Sequence, residues 1–472
     1  MAAAAGKQTT EGWSSRWGFI LAATGSAVGL GNLWRFPSEA GTNGGGAFVI
    51  FYIFCVVLIG LPVLLSETLI GRHGKADAIE STKTVARDSG ASTAWSALAG
   101  IGMLGAFLIL TFYSVIAGWV IYYIGLFAGD VATSIGNGAL LGGAFQGESL
   151  EQVQGYLPAL FANNGLMIGL HALFMAVTVF VIARGVGGGI EKIAVYLMPT
   201  FFILLIGITL YSLATGAAGE AFAFLFAFDP SRLLHGNVML SALGQAFFSL
   251  SLGSAMMITY GAYADRKTNL ASTSAIIAAA DTSVAIIAGL AIFPIVFAAG
   301  LASDSGPTLM FQVLPASFQT MPAGSFIGLL FFVMVLFAAL TSSVALLEAP
   351  TAWVMKRLGL PRAVTAIGLG ILAFAIGILS AMSFNSLENW HPLNFSIFEG
   401  QNFFSIVDIF TGKILLPLSA FLVSVFVGWI ADKRLTDDEN GISGGLHLTW
   451  RFLIAWLCPI AVGAILVFGL IS

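Results

Sequence analysis

Charge is what this 472-residue sequence has least of. Asp, Glu, Lys and Arg make up 9% of it, against about 25% in soluble domains. That scarcity excludes a soluble fold. Cysteine is nearly absent too. Cys55 and Cys458 both lie in apolar runs, which excludes a disulfide framework and reads as two small buried hydrophobes. The five histidines, at 73, 171, 235, 391 and 447, form no metal-ligand spacing. The glycine-rich GTNGGG at 41–46 lacks the lysine of a phosphate loop. No enzyme class is therefore supported. The net charge of −4 sits mostly in loops, so it says little about partners, and no nucleic-acid ligand is expected. The leader MAAAAGKQTTEGW has no long apolar core and no cleavage pattern, and is not expected to be a signal peptide.

What is present is apolar sequence, 58% of the chain. A spanning helix needs about 20 apolar residues. Eleven such spans are predicted near 16–40, 46–70, 95–128, 166–184, 190–213, 239–263, 271–300, 325–356, 363–383, 404–430 and 449–470. The fold class is all-α integral membrane, one transmembrane domain over 1–472, multi-pass in the bilayer. With the N-terminus cytoplasmic, sixteen of the nineteen Lys and Arg residues fall on the cytoplasmic side, leaving Arg35, Arg232 and Lys413. This satisfies the positive-inside rule, and eleven spans put the C-terminus outside. The prolines at 307, 315 and 322 are interleaved with Leu309, Met310, Phe311, Val313 and Phe318, which predicts a structured external loop.

Two spans are interrupted. Residues 25–37 read GSAVGLGNLWRFP, with glycines at 25, 29 and 31, and with Ser26, Asn32 and Arg35. Glycine loosens a helix, and lipid cannot hydrogen-bond Ser or Asn. Residues 249–255, SLSLGSA, interrupt the sixth span in the same way, near Gln245 and Ser251. Glycine and serine also permit close helix packing. Two breaks at matching places in two five-helix halves, about 16–213 and 239–430 with an additional helix at 449–470, point instead to an inverted repeat with its site at the midplane. Asp281, in AIIAAADTSVAIIAGL, is a carboxylate where it is expensive, hence a functional candidate. A buried, protonated structural Asp is the bland alternative.

The first span, WGFILAATGSAVGLGNLWRFP followed by NGGGAFVIFY, closely resembles the signature of the neurotransmitter:sodium symporters. GQAFFSLSLGSAMMITYGAY in the sixth span and LFAALTSSVALLE in the eighth match it as well. The likeness runs over almost the whole chain and includes the bacterial leucine carriers. It implies the family's architecture of inverted repeats and broken helices, a place in the bacterial cytoplasmic membrane, and two sodium sites. The first would use Ala27, Asn32, Ser249, Asp281 and the substrate carboxylate. The second would use Gly25, Val28, Ala338, Thr341 and Ser342. Absent the resemblance, Thr341 and Ser342 read as hydroxyls bonded back to their own helix.

The resemblance further implies an amino-acid site. The amides of Leu30 and Gly31 and the hydroxyl of Tyr113 would hold the carboxylate. Ala27, Phe248, Ser249 and Ser251 would meet the amine. Ser26, Ile109, Phe248, Ser254, Ala255, Ser342 and Leu346 would form the side-chain pocket. Gly29 stands where monoamine carriers have an Asp, so an amino acid is the expected cargo. Ser254 replaces a large aromatic of the leucine carriers, which implies room for a bulkier side chain. Arg35 and Asp408 correspond to an outer gate, although Arg35 alone could snorkel. Trp13, Tyr263 and Glu348 correspond to an inner one. The family's inner Arg–Asp lock is replaced by Thr10 and Lys356. Glu67 is expected to satisfy unwound backbone in the sixth helix, and Lys413 has no assigned role. The functional expectation is sodium-coupled import of an apolar or aromatic amino acid, independent of chloride. The alternative is a membrane sensor that binds an amino acid without moving it.

Overall fold

The computed structural model describes residues 12–139, 141–227, 231, 235–304 and 306–471. Lys7, Thr10 and Arg232 lie outside them. Among the described residues, nine helices are long and apolar enough to cross a membrane: Gly46–Gly74, Thr93–Gly136, Asn164–Ala183, Val186–Thr215, Leu270–Ala298, Gly324–Leu358, Arg362–Met382, Phe403–Ile430 and Gly444–Leu470. The two segments predicted to be interrupted are not in that set, because each is split into pieces too short to span. Several helices also run past their predicted ends, most of all Thr93–Gly136, since polar residues at a helix end continue the hydrogen-bond ladder outside lipid.

The first break follows helix Arg16–Ala27. Its last helical bond is Val28 N–H to the Thr24 carbonyl, 2.7 Å, and Val28 then turns extended at φ −70°, ψ 107°. The chain resumes as a π-turn, Gly31–Arg35, leading into Phe36–Thr42. Backbone freed by such a break needs another partner. The Asn32 side chain supplies one, accepting the Gly29 N–H at 3.1 Å.

The second break separates Gly236–Ser249 from Met256–Ala262. Ser251, Gly253 and Ala255 all have left-handed φ, +53°, +74° and +61°. For Ser and Ala that conformation costs on the order of 1 kcal/mol or more, so the surroundings must enforce it. Glu67 on helix Gly46–Gly74 does part of this, accepting the Gly253 N–H at 2.7 Å. A side chain at 253 would come within 2.1 Å of the Leu416 carbonyl. The break is thus pinned from two helices.

Around the breaks stands a frame in which Thr93–Gly136 packs extensively along Gly324–Leu358. Its outer part is an aromatic core that includes Tyr123, Phe127, Phe311 and Phe332, with ring centroids 4.8–6.2 Å apart. The segment after 305 is structured, as predicted. Leu309–Val313 and Leu314–Ser317 form short helical turns, with Leu309, Met310, Phe311, Val313 and Phe318 buried.

Candidate functional site

The two breaks face one another across a cavity of about 40 Å³. Of the residues predicted for substrate binding, Ser26, Ala27, Leu30, Gly31, Ile109, Tyr113, Phe248, Ser251, Ser254, Ser342 and Leu346 line it. Ser249 does not. Its hydroxyl turns to the carboxylate of Asp281, 2.6 Å away. Ala255, which has a left-handed φ, is also absent from the wall, and Met256 lines it instead. Met256 and Leu416 are two wall residues that sequence reading missed, since nothing in an apolar run marks which Met or Leu faces a cavity. Both line the cavity together with Ser254. The Ser254 hydroxyl itself donates to the Ser251 carbonyl at 2.5 Å.

One end of the cavity is polar backbone. The Leu30 N–H points at the Tyr113 hydroxyl, 3.4 Å. Gly29 packs closely there: a Cβ would fall 2.5 Å from Ser342 Oγ and 3.0 Å from the Tyr113 hydroxyl. Helix-start amides of this kind favour an anion.

Beside this end lies a buried carboxylate. Asp281 is fully buried. Its oxygens accept from Asn32 Nδ2 at 2.7 Å, Ser249 Oγ at 2.6 Å and the Tyr52 hydroxyl at 3.3 Å. Among the described residues, no Lys, Arg or His pairs with it. Three neutral donors soften the burial of a charge without cancelling it. The arrangement suits a small cation held by oxygens.

A second group of oxygens surrounds Ser342. Its hydroxyl lies 3.2, 3.3 and 3.2 Å from the carbonyls of Gly25, Ser26 and Val28. One hydroxyl proton serves one acceptor at a time, so the cluster is rich in unshared oxygen lone pairs. Thr341 differs. It bonds back to Phe337 and Ala338 of its own helix, at 3.1 and 3.0 Å, while its Cβ abuts Gly25.

Above the cavity, a vestibule of about 430 Å³ is lined by Arg35, Glu39, Phe248, Asp408 and Lys413 among others. The Arg35 guanidinium lies over the Phe248 ring, 4.6 Å from its centroid. Arg35 and Asp408 share the vestibule, yet the ion pair Arg35 makes is with Glu39, at 3.7 Å.

Below the cavity the contacts are closer. Glu348, fully buried, takes the Tyr263 hydroxyl at 2.7 Å and both Nη atoms of Arg362 at 2.7 and 2.9 Å. Trp13 donates to the Tyr260 carbonyl at 3.1 Å, stacks on Phe19 and meets Tyr260 and Tyr263 edge-on. The next residue, Ser14, gives its N–H and hydroxyl to Glu191 at 2.9 and 2.6 Å. Gly18 allows this, since a Cβ would fall 1.8 Å from a Glu191 oxygen. Lys356 pairs with Asp77 at 3.7 Å. Further out, Arg72 bridges the Thr268 carbonyl and Glu439. The Glu439 carboxyl is held below its usual range, first by its hydrogen bond with His73. Arg362 and Glu191 were not singled out from sequence. Arg362 counted only as a cytoplasmic charge.

A bundle of membrane-length helices with two broken ones closing on a buried polar site is the construction of a secondary transporter. The profile of the Sodium:neurotransmitter symporter family matches residues 10–129 and 160–472, and the chain belongs to that family. It is 37% identical over 454 residues to an uncharacterized sodium-dependent transporter, YhdH, of Bacillus subtilis, covering 95% of each. It is 34% identical over 465 residues to an uncharacterized sodium-dependent transporter of Haemophilus influenzae, covering 97% of this chain and 98% of that one. The fold superposes on the crystal structure of MhsT in complex with L-phenylalanine with a TM-score of 0.86, at 38% identity, over 97% of this chain and 99% of the other. The protein is a sodium-dependent membrane transporter, not an enzyme.

Proposed function

We propose that the protein imports an apolar or aromatic amino acid together with sodium, by alternating access. The observation that carries this is the cavity end formed by Gly29, Leu30 and Tyr113. It offers amide and hydroxyl donors and no carboxylate, with the cation-hungry Asp281 cluster beside it. A substrate carboxylate fits there and would share the sodium. The rest of the wall, Ile109, Phe248, Met256, Leu346 and Leu416, is apolar, and MhsT binds L-phenylalanine. A 40 Å³ cavity is small for such a side chain. Met256 has the flexibility to yield, so loading would swing it aside.

Two sodium sites fit the oxygen groups. The first takes Ala27, Asn32, Ser249 and Asp281, the second Gly25, Val28, Ala338, Thr341 and Ser342. At the second, Thr341 would turn its hydroxyl from its own helix to the ion. Each sodium that enters a negative interior gains about 2.3 kcal/mol per 100 mV. The two broken helices, added to the nine long ones, make eleven spans. Read as five plus five plus one within a single domain, they leave the N-terminus inside and the C-terminus outside, as the Lys and Arg distribution requires. Arg35 and Asp408 then form the outer gate, and Trp13, Tyr263 and Glu348 belong to the inner one.

Chloride is not needed in this reading. An anion beside Tyr52, Gln245, Ser249 and Ala285 would sit near the Asp281 carboxylate, and two like charges at 4 Å repel by about 4 kcal/mol at an effective dielectric of 20. The test is uptake into liposomes of a panel of labelled amino acids under an imposed sodium gradient, with chloride or gluconate. Accumulation of apolar and aromatic amino acids that needs sodium and ignores chloride is expected. Uptake without sodium refutes the coupling, and binding without uptake identifies a sensor.

A further inference from the structure

Glu39 stands one helical turn beyond Arg35, at the mouth of the vestibule. Its Oε1 faces the guanidinium at 3.7 Å, with the two side chains 27% and 35% exposed. Its Oε2 is anchored separately, by the Ser241 hydroxyl at 2.5 Å and Asn43 Nδ2 at 3.1 Å. Asn43 Nδ2 also reaches Ser241 Oγ at 3.1 Å. Ser241 belongs to the outer half of the second broken helix, Gly236–Ser249. The carboxylate is therefore satisfied by two neutral donors at one oxygen and offers the other to Arg35.

The vestibule thus presents one guanidinium with two carboxylates, Glu39 on its own helix and Asp408 across the opening. The arginine is on Glu39, its face over the Phe248 ring that also lines the cavity. We propose that Glu39 is the open-state partner of Arg35, and that the vestibule closes by exchange of Arg35 from Glu39 to Asp408. This rests on the reading of Arg35 and Asp408 as the outer gate. The exchange is easy for two physical reasons. A part-exposed pair four residues apart on a helix is weak. When Arg35 leaves, Asn43 and Ser241 keep Glu39 hydrogen-bonded, so no orphaned carboxylate opposes closure. Asp408 has the reverse character: it shares the vestibule with Lys413 and makes no ion pair with Arg35.

The test uses the full-length transporter in liposomes with Gly412→Cys as reporter. Gly412 lines the vestibule and has open space around its Cβ position. The native Cys55 and Cys458 are buried, so a membrane-impermeant thiol reagent reads position 412. In sodium without substrate, Glu39→Gln should slow labelling by about two- to fivefold, the shift expected on losing a pair of this kind. In an Asp408→Asn background the same change should do nothing, because the arginine has no second carboxylate to reach. Asn43→Ala combined with Ser241→Ala keeps the charge and should speed labelling, because Glu39 then leans harder on Arg35. Labelling unchanged by Glu39→Gln, while Asp408→Asn alone speeds it, overturns the exchange and leaves the gate reading standing. Asp408→Asn labelling at the wild-type rate overturns both. If Glu39→Gln does not fold, labelling that is unchanged or slowed in the Asn43/Ser241 variant overturns the proposal.

Discussion

The two ends of the permeation path are built from the same residue types in opposite conditions. At the vestibule end, Arg35 and Glu39 meet at 3.7 Å with about a third of each side chain exposed, beside a 430 Å³ opening. At the opposite end, Glu348 is fully buried, Arg362 is 10% exposed, and the two form a bidentate pair at 2.7 and 2.9 Å that also holds Tyr263. Exposed pairs are worth about 0.2–1 kcal/mol, whereas removing one member of a buried pair costs about 3–5 kcal/mol. The outer charges suit rapid exchange of partners. The inner ones hold a closed end together, with Trp13 wedged beside them and Ser14 fastened to Glu191. The lesson is that burial, more than the presence of an arginine and a carboxylate, separates a pair that exchanges partners easily from one that holds fast.

Breaking the inner pair is the largest effect expected. Arg362→Met leaves Glu348 charged and unpaired in the interior, at about 3–5 kcal/mol. Thermal unfolding of purified protein should fall sharply and uptake should be nearly lost. Adding Glu348→Gln should recover much of the stability. A single variant as stable as the wild type would remove the contrast between the two ends.

The cavity between the ends comes next. Ser254→Phe adds bulk against Met256 and Leu416, and overpacking costs about 1–3 kcal/mol. Equilibrium binding of aromatic amino acids should weaken by more than that of alanine or glycine. An equal loss for all of them would take Ser254 out of the side-chain pocket.

Asp281→Asn removes the buried negative charge that the two ends enclose. The sodium concentration for half-maximal uptake should rise by roughly tenfold, about 1.4 kcal/mol. With Ala285→Ser added, uptake should come to depend on chloride, measured against gluconate. A sodium dependence unchanged by Asp281→Asn would mean that this carboxylate balances no ion.

The smallest effect belongs to the outer charges. Arg35→Asp with Asp408→Arg should transport better than either single change, by a margin of about 1 kcal/mol or less. A double variant no better than the worse single one would separate these two residues.

Much of the site was legible from residue chemistry. The breaks near 28–30 and 250–255 show themselves as glycine and polar residues inside apolar runs, and Asp281 shows itself as a carboxylate in lipid-facing company. Glu67 was readable as a helper of the broken backbone, and its bond to Gly253 is present. Arg362 was not readable. It sits just past the turn after Glu348's helix, and only the fold of that turn returns it to the carboxylate. Met256 and Leu416 were hidden for a different reason. Their burial is obvious from composition, but the side on which they are buried is not.

By itself the sequence determined that this chain lives in a membrane, that two of its helices break, and that a carboxylate, Asp281, is buried in an apolar run. Each follows from the local cost of a polar or flexible residue in an apolar run. Only the tertiary structure decided which charges meet. Arg35 has Glu39 one turn away and Asp408 more than 370 positions along the chain, and the sequence cannot rank them. An ion pair depends on distance and on how much water surrounds it, and both are properties of helices brought together, not of their order.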